Sequence, residues 1–319
     1  MGIVVHEKGK ERALLSRRRG TYGMIAGVSG IYDEPELYEL ACAYRDIPAE
    51  ATALLAWCGA HFRGTAGETA DSGVRTVLEL AAGPAEHARE LARRGLRAAT
   101  LDLSPAMCSY AAARAKAAGV DVQVVQGDMR DFAISGADGA PVQFDAAITM
   151  LNSVCHLFTL DDLVKHLTAV RANLVPGGLY IVELTHPADF FAPEPRTSSE
   201  WTIDAPGVHA DVHWGGRTDR IDPLTQVTKE HMTITATYDD GTIRTVSDVV
   251  PNRFWTLTEF TAAIALSNAQ PAGPQAGIAA QASDPKGHLE LVARYGDFDE
   301  ATALDAPSAW RMILILRRA

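Results

Sequence analysis

The chain of 319 residues has a formal net charge of −11 and 47% hydrophobic residues. That length is sufficient for one large domain with an addition, or for two small domains. The acidic balance argues against nucleic acid as the main partner, and no apolar stretch of roughly 18 residues suggests a membrane span.

The N-terminal part mixes basic residues and glycines over residues 1–30, which we expect to be loosely structured. No apolar core follows the basic run at 17–19, so we expect no secretory signal. Over 32–62 apolar residues recur at helical spacing on both sides of Pro48, which predicts two amphipathic helices. Residues 63–74 are rich in Gly, Thr and Ser and are predicted to be a linker.

Between residues 75 and 185 the pattern alternates between strands and helices. The predicted strands are 75–81, 96–102, 121–126, 144–150 and 179–185, and the predicted helices are 84–94, 105–118 and 161–174. This α/β alternation is typical of a mostly parallel sheet with right-handed crossovers. In such sheets ligands bind beyond the carboxyl ends of the strands.

Residues 197–256 break that alternation. Three segments within them read as strands, namely 208–214, 226–238 and 242–250. The last two flank Asp239-Asp240-Gly241, a strong hairpin turn, so we expect a small antiparallel insertion. The remainder is predicted to be a helix at 257–267, an irregular surface loop at 268–287, and strands at 289–295 and 309–317.

A strand, a sharp turn and a helix start are predicted around Gly83. Glycine permits the turn, and Pro84 suits the first helical position because its φ is already helical. Such a turn leaves backbone N–H groups free to face a ligand. Asp102 ends the next strand, where a carboxylate can accept hydrogen bonds from both hydroxyls of a ribose. Gly127-Asp128-Met129 follows the third strand.

These motifs, in this order, resemble those of class I S-adenosylmethionine-dependent methyltransferases. The family pattern acidic-x-Gly-x-Gly-x-Gly is kept at Glu79 and Gly83, whereas Ala81 and Ala85 replace the outer glycines. The resemblance implies that Asp102 binds ribose. It also implies that Asp128 accepts from the adenine amino group and that Met129 lies against the ring.

The segment after the fourth strand narrows the resemblance. Its form Asn152-Ser153-x-x-His156-Leu157 is similar to the glycine N-methyltransferase type and to antibiotic amino-sugar N-methyltransferases. It lacks the Asn-Pro-Pro-Tyr of enzymes that methylate nucleic-acid bases or glutamine amides. A small-molecule acceptor is therefore expected.

The resemblance implies a Rossmann-like seven-stranded sheet with helices on both faces. The expected organisation is an N-terminal helical lid (1–62), a cofactor-binding domain in two parts (63–196 and 257–319), and an antiparallel substrate cap (197–256). The expected cofactor residues are Tyr32, Tyr44, Arg45, Glu79, Ala81, Gly83, Asp102, Leu103, Met107, Asp128, Met129, Met150 and Leu151. Lid tyrosines would meet the sulfonium, and Arg45 would meet the methionine carboxylate. The alternative to a lid is that the two N-terminal helices only cover an edge of the sheet.

Two histidines are candidates for a general base, because both follow strands at the carboxyl edge. For His156, a role as general base and a role in hydrogen bonding to the cofactor or the backbone are equal alternatives. For His186, a structural role is slightly favoured over catalysis. A substrate-side set is also predicted, although its aromatic members could instead form the core under the small sheet. It consists of Asn152, Phe190, Trp201, Trp214 and Arg253.

No metal is expected. His209, Asp211 and His213 share one strand face, but a solvated or substrate-facing strand is favoured over a metal site. The cysteines are scattered without a CxxC pair, which favours a reducing cytoplasm. They are Cys42, Cys58, Cys108 and Cys155.

The predicted activity is transfer of a methyl group from S-adenosylmethionine to a nitrogen or oxygen of a small molecule, with nitrogen slightly preferred. The family pattern suggests secondary metabolism, such as antibiotic biosynthesis, and a homo-oligomer is compatible with it. One alternative is a nicotinamide-dependent oxidoreductase, since its cofactor also needs an acid such as Asp102. Another is a cofactor-binding protein without turnover, which the altered positions Ala81 and Ala85 would suggest.

Overall fold

The computed structural model describes residues 30–64, 73–136, 138–191, 199–271 and 287–319. The expectations for 1–30 lie outside these residues except at Gly30. Most of the predicted linker at 63–74 and of the predicted loop at 268–287 also lies outside them. Within the described residues, no helix is both long and apolar enough to cross a membrane.

A seven-stranded sheet in the order β10-β11-β5-β4-β1-β2-β3 forms the centre of the fold. Its strands are β1 (Thr76–Leu80), β2 (Arg97–Asp102), β3 (Val122–Gln126), β4 (Phe144–Thr149), β5 (Leu174–Thr185), β10 (Leu289–Tyr295) and β11 (Arg311–Arg318). The pairs β1–β2, β2–β3, β1–β4 and β4–β5 are parallel. Strand β11 runs antiparallel to both β5 and β10. The predicted α/β sheet is confirmed.

Helices cover both faces of this sheet. They are α1 (Pro35–Ala41), α2 (Ile47–His61), α3 (Glu86–Arg93), α4 (Pro105–Ala117), α5 (Leu160–Asn173), α6 (Ala188–Phe191) and α7 (Leu257–Asn268). One apolar core contains Leu163 of α5 and Phe260 of α7. A second contains Leu54 of α2 and Leu91 of α3. Strand β1 is buried at every position, as expected of a parallel strand covered on both sides.

A second sheet of four antiparallel strands, which we call the cap sheet, has the order β6-β7-β8-β9. Its strands are β6 (Ser199–Ala205), β7 (Val208–Trp214), β8 (Val227–Tyr238) and β9 (Ile243–Arg253). Its buried face packs on Ile31, Leu37 and Ala41. Gly241, with φ of +83°, occupies the predicted hairpin turn. The antiparallel insertion is confirmed, but β6 was not predicted.

Two local predictions are wrong. Pro84 is not the first helical residue: α3 begins at Glu86, after Ala85 has adopted a left-handed conformation. Strand β5 begins at Leu174 rather than at residue 179, because the chain passes directly from α5 into the sheet. The pairing of β4 with β5 is irregular there, between Phe144 and Ala146.

Candidate functional site

The turn after β1 meets the end of β2 at the carboxyl edge of the large sheet. Gly83, with φ of +51°, donates its backbone N–H to Asp102 Oδ2 at 2.7 Å. The backbone N–H of Ser104 donates to Asp102 Oδ1 at 2.8 Å. Burial raises the pKa of Asp102, against the lowering effect of these bonds. Beside this half-buried carboxylate, Leu103 is 67% exposed.

The remaining residues of the first motif shape the turn. Ala81 and Ala85 have φ of +49° and +59°, a left-handed conformation that glycine adopts more readily. Glu79 is buried in β1, and its Oε2 accepts the backbone N–H of Ala88 at 2.8 Å. Glu79 therefore ties the first turn of α3 to the sheet. Met107 is buried below the turn, with its sulfur 4.0 Å from where a Cβ on Gly83 would lie.

The segment after β3 carries an ion pair that the sequence analysis did not predict. Asp128 pairs with Arg130 through Oδ2 and Nη2 at 2.5 Å. Burial would raise the pKa of Asp128, but the bonds from Arg130 outweigh it and lower this pKa. The Met129 carbonyl bonds to His166 Nδ1 at 2.9 Å. Asp128 is thus ionised at neutral pH and lies at the same edge of the sheet as Asp102.

A 3₁₀ turn at Ile31–Asp33 spans this edge. The Tyr32 carbonyl accepts a hydrogen bond from Ser104 Oγ at 3.1 Å, on the loop after β2. The Tyr32 hydroxyl lies 3.0 Å from His156 Nε2, in the 3₁₀ turn Ser153–His156 after β4. One tyrosine of the predicted lid therefore contacts two loops on which cofactor residues are predicted.

The two candidate bases differ in their surroundings. Burial lowers the pKa of His156 to about 4, so this imidazole is neutral at pH 7. His186 Nε2 donates to the Leu304 carbonyl at 2.9 Å, and its Nδ1 accepts from the backbone N–H of Ala188 at 3.2 Å. Both nitrogens of His186 are thus bonded to the chain's own backbone, which favours the structural role.

A buried cluster of charged side chains lies beside the loop after β4. Arg45, predicted to bind the methionine carboxylate, is held by Glu50 at 2.6 Å and by Glu183 at 2.8 Å. Arg311 also faces both carboxylates. His87 Nε2 contacts Glu50 Oε2 at 2.8 Å. Sequence analysis did not identify this cluster; the signal that it offered was Glu183 within the otherwise apolar strand β5.

Aromatic rings form a continuous row between the predicted lid and the cap sheet, with successive centroids 5.5, 5.6, 6.3, 6.2 and 5.7 Å apart. In order, its members are His156, Tyr32, Tyr38, Trp214, Trp201 and Tyr44. Trp201 also donates its indole N–H to the Ala41 carbonyl at 2.9 Å. The row brings predicted cofactor residues and predicted substrate residues together under the cap sheet.

The other predicted substrate residues lie around the β4 loop and the cap. The Asn152 side chain accepts the backbone N–H of Thr185 at 3.2 Å. Phe190 packs on Phe254, with ring centroids 4.9 Å apart. Arg253 lies over the Trp255 ring at 3.7 Å and donates to the Phe158 carbonyl. Through the bond to Phe158, Arg253 joins the end of β9 to the segment before α5. Met150 is buried beneath the same loop, next to Leu151.

A buried carboxyl group on the inner face of the cap sheet was also missed. Glu230 on β8 accepts a hydrogen bond from the Asn252 side chain, and Asn252 Oδ1 in turn lies 3.1 Å from Cys155 Sγ. Burial raises the pKa of Glu230 to about 7. On the opposite, exposed face, His209 pairs with Asp204 at 2.7 Å. Among the described residues no cluster of potential metal ligands is found.

Comparison with known proteins supports the resemblance to methyltransferases. Residues 77–178 match the family model described as "Methyltransferase domain". A putative methyltransferase of Bacillus subtilis, YqeM, is 32% identical over 108 residues, which cover 34% of this chain and 41% of that protein. The dTDP-3-amino-3,4,6-trideoxy-alpha-D-glucopyranose N,N-dimethyltransferase of Streptomyces venezuelae is 31% identical over 108 residues, with the same coverage of 34% and 41%. The matched part spans about two-fifths of these curated relatives.

A solved structure extends the likeness to most of the chain. The crystal structure of DesVI from Streptomyces venezuelae superposes with a TM-score of 0.64 at 19% identity, covering 88% of this chain and 97% of the other. At this identity the superposition shows the shared fold. The resemblance to methyltransferases is therefore confirmed over residues 77–178, and the fold is shared with DesVI over most of the chain.

Proposed function

We propose that this protein transfers a methyl group from S-adenosylmethionine to a nitrogen of a small molecule, with oxygen as the less favoured acceptor atom. The observation that carries the proposal is the joining of the methyltransferase-type turn to Asp102. Gly83 N–H bonds to this carboxylate at 2.7 Å within the segment that matches the family model. The preference for nitrogen is supported by one relative, which is an N,N-dimethyltransferase.

The residues at this edge fit an adenosine-containing cofactor. Asp102 offers a half-buried carboxylate for ribose hydroxyls, and exposed Leu103 offers an apolar surface beside it. Asp128, ionised by its contact with Arg130, would accept from the adenine amino group. When bound, S-adenosylmethionine supplies an electrophilic methyl group on a sulfonium.

The chain's own contribution to such a reaction is alignment and exclusion of water. Tyr32 closes over the edge by contacting both Ser104 and His156. Burial keeps the Tyr32 hydroxyl protonated by raising its pKa, and keeps His156 neutral by lowering its pKa to about 4. This pair therefore adds no positive charge that would repel a sulfonium. His156 is a weak base in this state, so orientation through hydrogen bonding is the role that we assign to it.

Binding and turnover test the proposal separately. Asp102→Ala removes the ribose acceptor, and we expect it to abolish binding of S-adenosylhomocysteine in calorimetry. Near-normal binding by this variant would show that the ribose site is elsewhere. Methyl transfer is then assayed by mass spectrometry with panels of small amines and alcohols. Binding of NADH in place of S-adenosylhomocysteine would favour the oxidoreductase alternative.

A further inference from the structure

One buried carboxylate joins three parts of the fold. Glu183 on β5 is 4% exposed, and its Oε2 accepts the backbone N–H of Leu151 at 2.7 Å. The same oxygen accepts from Arg45 Nη2 at 2.8 Å, and Glu183 Oε1 lies 3.1 Å from Arg311 Nε. Glu183 therefore links the loop after β4 to the α1–α2 turn and to β11.

The loop that Glu183 contacts has an unfavourable backbone conformation. Leu151 and Asn152 have φ of +53° and +56°, the left-handed region that residues with a Cβ seldom adopt. Conformations of this kind persist where surrounding contacts hold them. Two such contacts come from β5: Glu183 binds the Leu151 N–H, and the Thr185 N–H binds the Asn152 side chain.

We infer that Glu183 is a positioning residue, which holds the β4 loop in the conformation needed beside the methyl donor and couples that loop to Arg45. The inference rests on the proposed function, because the family resemblance places Met150 and Leu151 at the cofactor. A carboxylate suits this role because a hydrogen bond from a backbone N–H to a charged acceptor is stronger than one to a neutral acceptor. Among the described residues, Glu183 is the hydrogen-bond acceptor of the Leu151 N–H.

The variant Glu183→Asp tests this role. It keeps the negative charge beside Arg45 and Arg311, so it does not leave a buried cation without a counter-charge. Its side chain is shorter by one methylene, so the carboxylate loses its reach to Leu151. Glu50→Asp is the matched control, because Glu50 faces the same two arginines but contacts His87 instead of the β4 loop.

The test compares binding of S-adenosylhomocysteine with binding of adenosine. We expect Glu183→Asp to weaken S-adenosylhomocysteine binding roughly tenfold or more, because losing a hydrogen bond to a charged acceptor lowers the population of the loop conformation that binds the ligand. The affinity of Glu183→Asp for adenosine should stay within about twofold of that of the unsubstituted protein, because the contacts proposed for adenosine lie at Asp102 and Asp128. Glu50→Asp should leave the ratio of the two affinities unchanged.

Hydrogen exchange gives an independent readout. The Leu151 amide should exchange faster in Glu183→Asp than in Glu50→Asp, because only the first variant loses its acceptor. Equal losses of affinity in both variants, or unchanged exchange at Leu151, would overturn the inference. Failure of the unsubstituted protein to bind either ligand would instead refute the proposed function, and the exchange measurement would still decide whether Glu183 holds the loop.

Discussion

Glu230 gives the most quantitative prediction on the stability of the cap sheet. It is 7% exposed, and burial raises its pKa to about 7. Because the ordinary value is 4.5, the folded state binds one more proton than the unfolded state between these two pH values. Its contribution to stability is therefore complete below pH 4.5 and decreases as pH rises to about 7. At 1.36 kcal/mol per pH unit the loss amounts to about 3 kcal/mol.

Glu230→Gln removes this titration and keeps an oxygen that accepts from Asn252. Urea denaturation of both proteins between pH 4.5 and 8 should show that the variant gains about 3 kcal/mol relative to the original protein as pH rises. Using the difference cancels the titration of all other groups. The control is Thr228→Val, a buried inner-face neighbour whose hydroxyl has no hydrogen-bond partner among the described residues. A pH-independent difference for Glu230→Gln would refute the reasoning.

Three further predictions concern the turn after β1, the predicted lid and the buried charged cluster. Ala85→Gly should stabilise the fold by about 1 kcal/mol, because it removes an alanine from a left-handed conformation. The control Ala88→Gly, inside α3, should instead destabilise the fold by about 1 kcal/mol. If thermal unfolding shows that both variants are less stable than the original protein, the reasoning is contradicted. Tyr32→Phe should weaken S-adenosylhomocysteine binding roughly threefold to tenfold, because the hydroxyl contact with His156 is lost. The melting temperature should change little. An unchanged affinity in calorimetry would exclude a lid role for this contact. Burial opposes protonation of His87, but hydrogen bonds to Glu50 and Glu79 raise its pKa to about 9, so the stabilisation from this group is present below pH 6.5 and lost by about pH 9. When His87→Gln and the original protein are compared by denaturation, their stabilities should therefore converge at high pH. A difference in stability that does not change with pH would contradict the charged state of His87.

The sequence was most informative where one local pattern determines the structure. The apolar run of β1, the cap formed by Ser104 on α4 and the Asp239-Asp240-Gly241 turn each act over a few residues, and all three form as predicted. Pro84 shows the limit of such reasoning. Its φ suits a first helical position, but the left-handed Ala85 delays the start of α3 by two residues.

Contacts between distant residues were not predictable from one sequence. Glu183 meets Arg45, 138 positions away, and Glu230 meets Asn252 across two strands. Local periodicity carries no information on such partners. The same limit applies to Arg45, for which a cofactor contact was predicted from the resemblance alone. The structure places its guanidinium between two buried carboxylates.

A crystal structure with S-adenosylhomocysteine is the most direct test of the central claim. We expect the ribose hydroxyls against the Asp102 carboxylate, the adenine near Asp128 and Leu103, and the sulfur facing the loop after β4. Density for the nucleoside at another edge of the large sheet, or an empty crevice at saturating ligand, would contradict the proposal that this chain is a methyltransferase that uses this site.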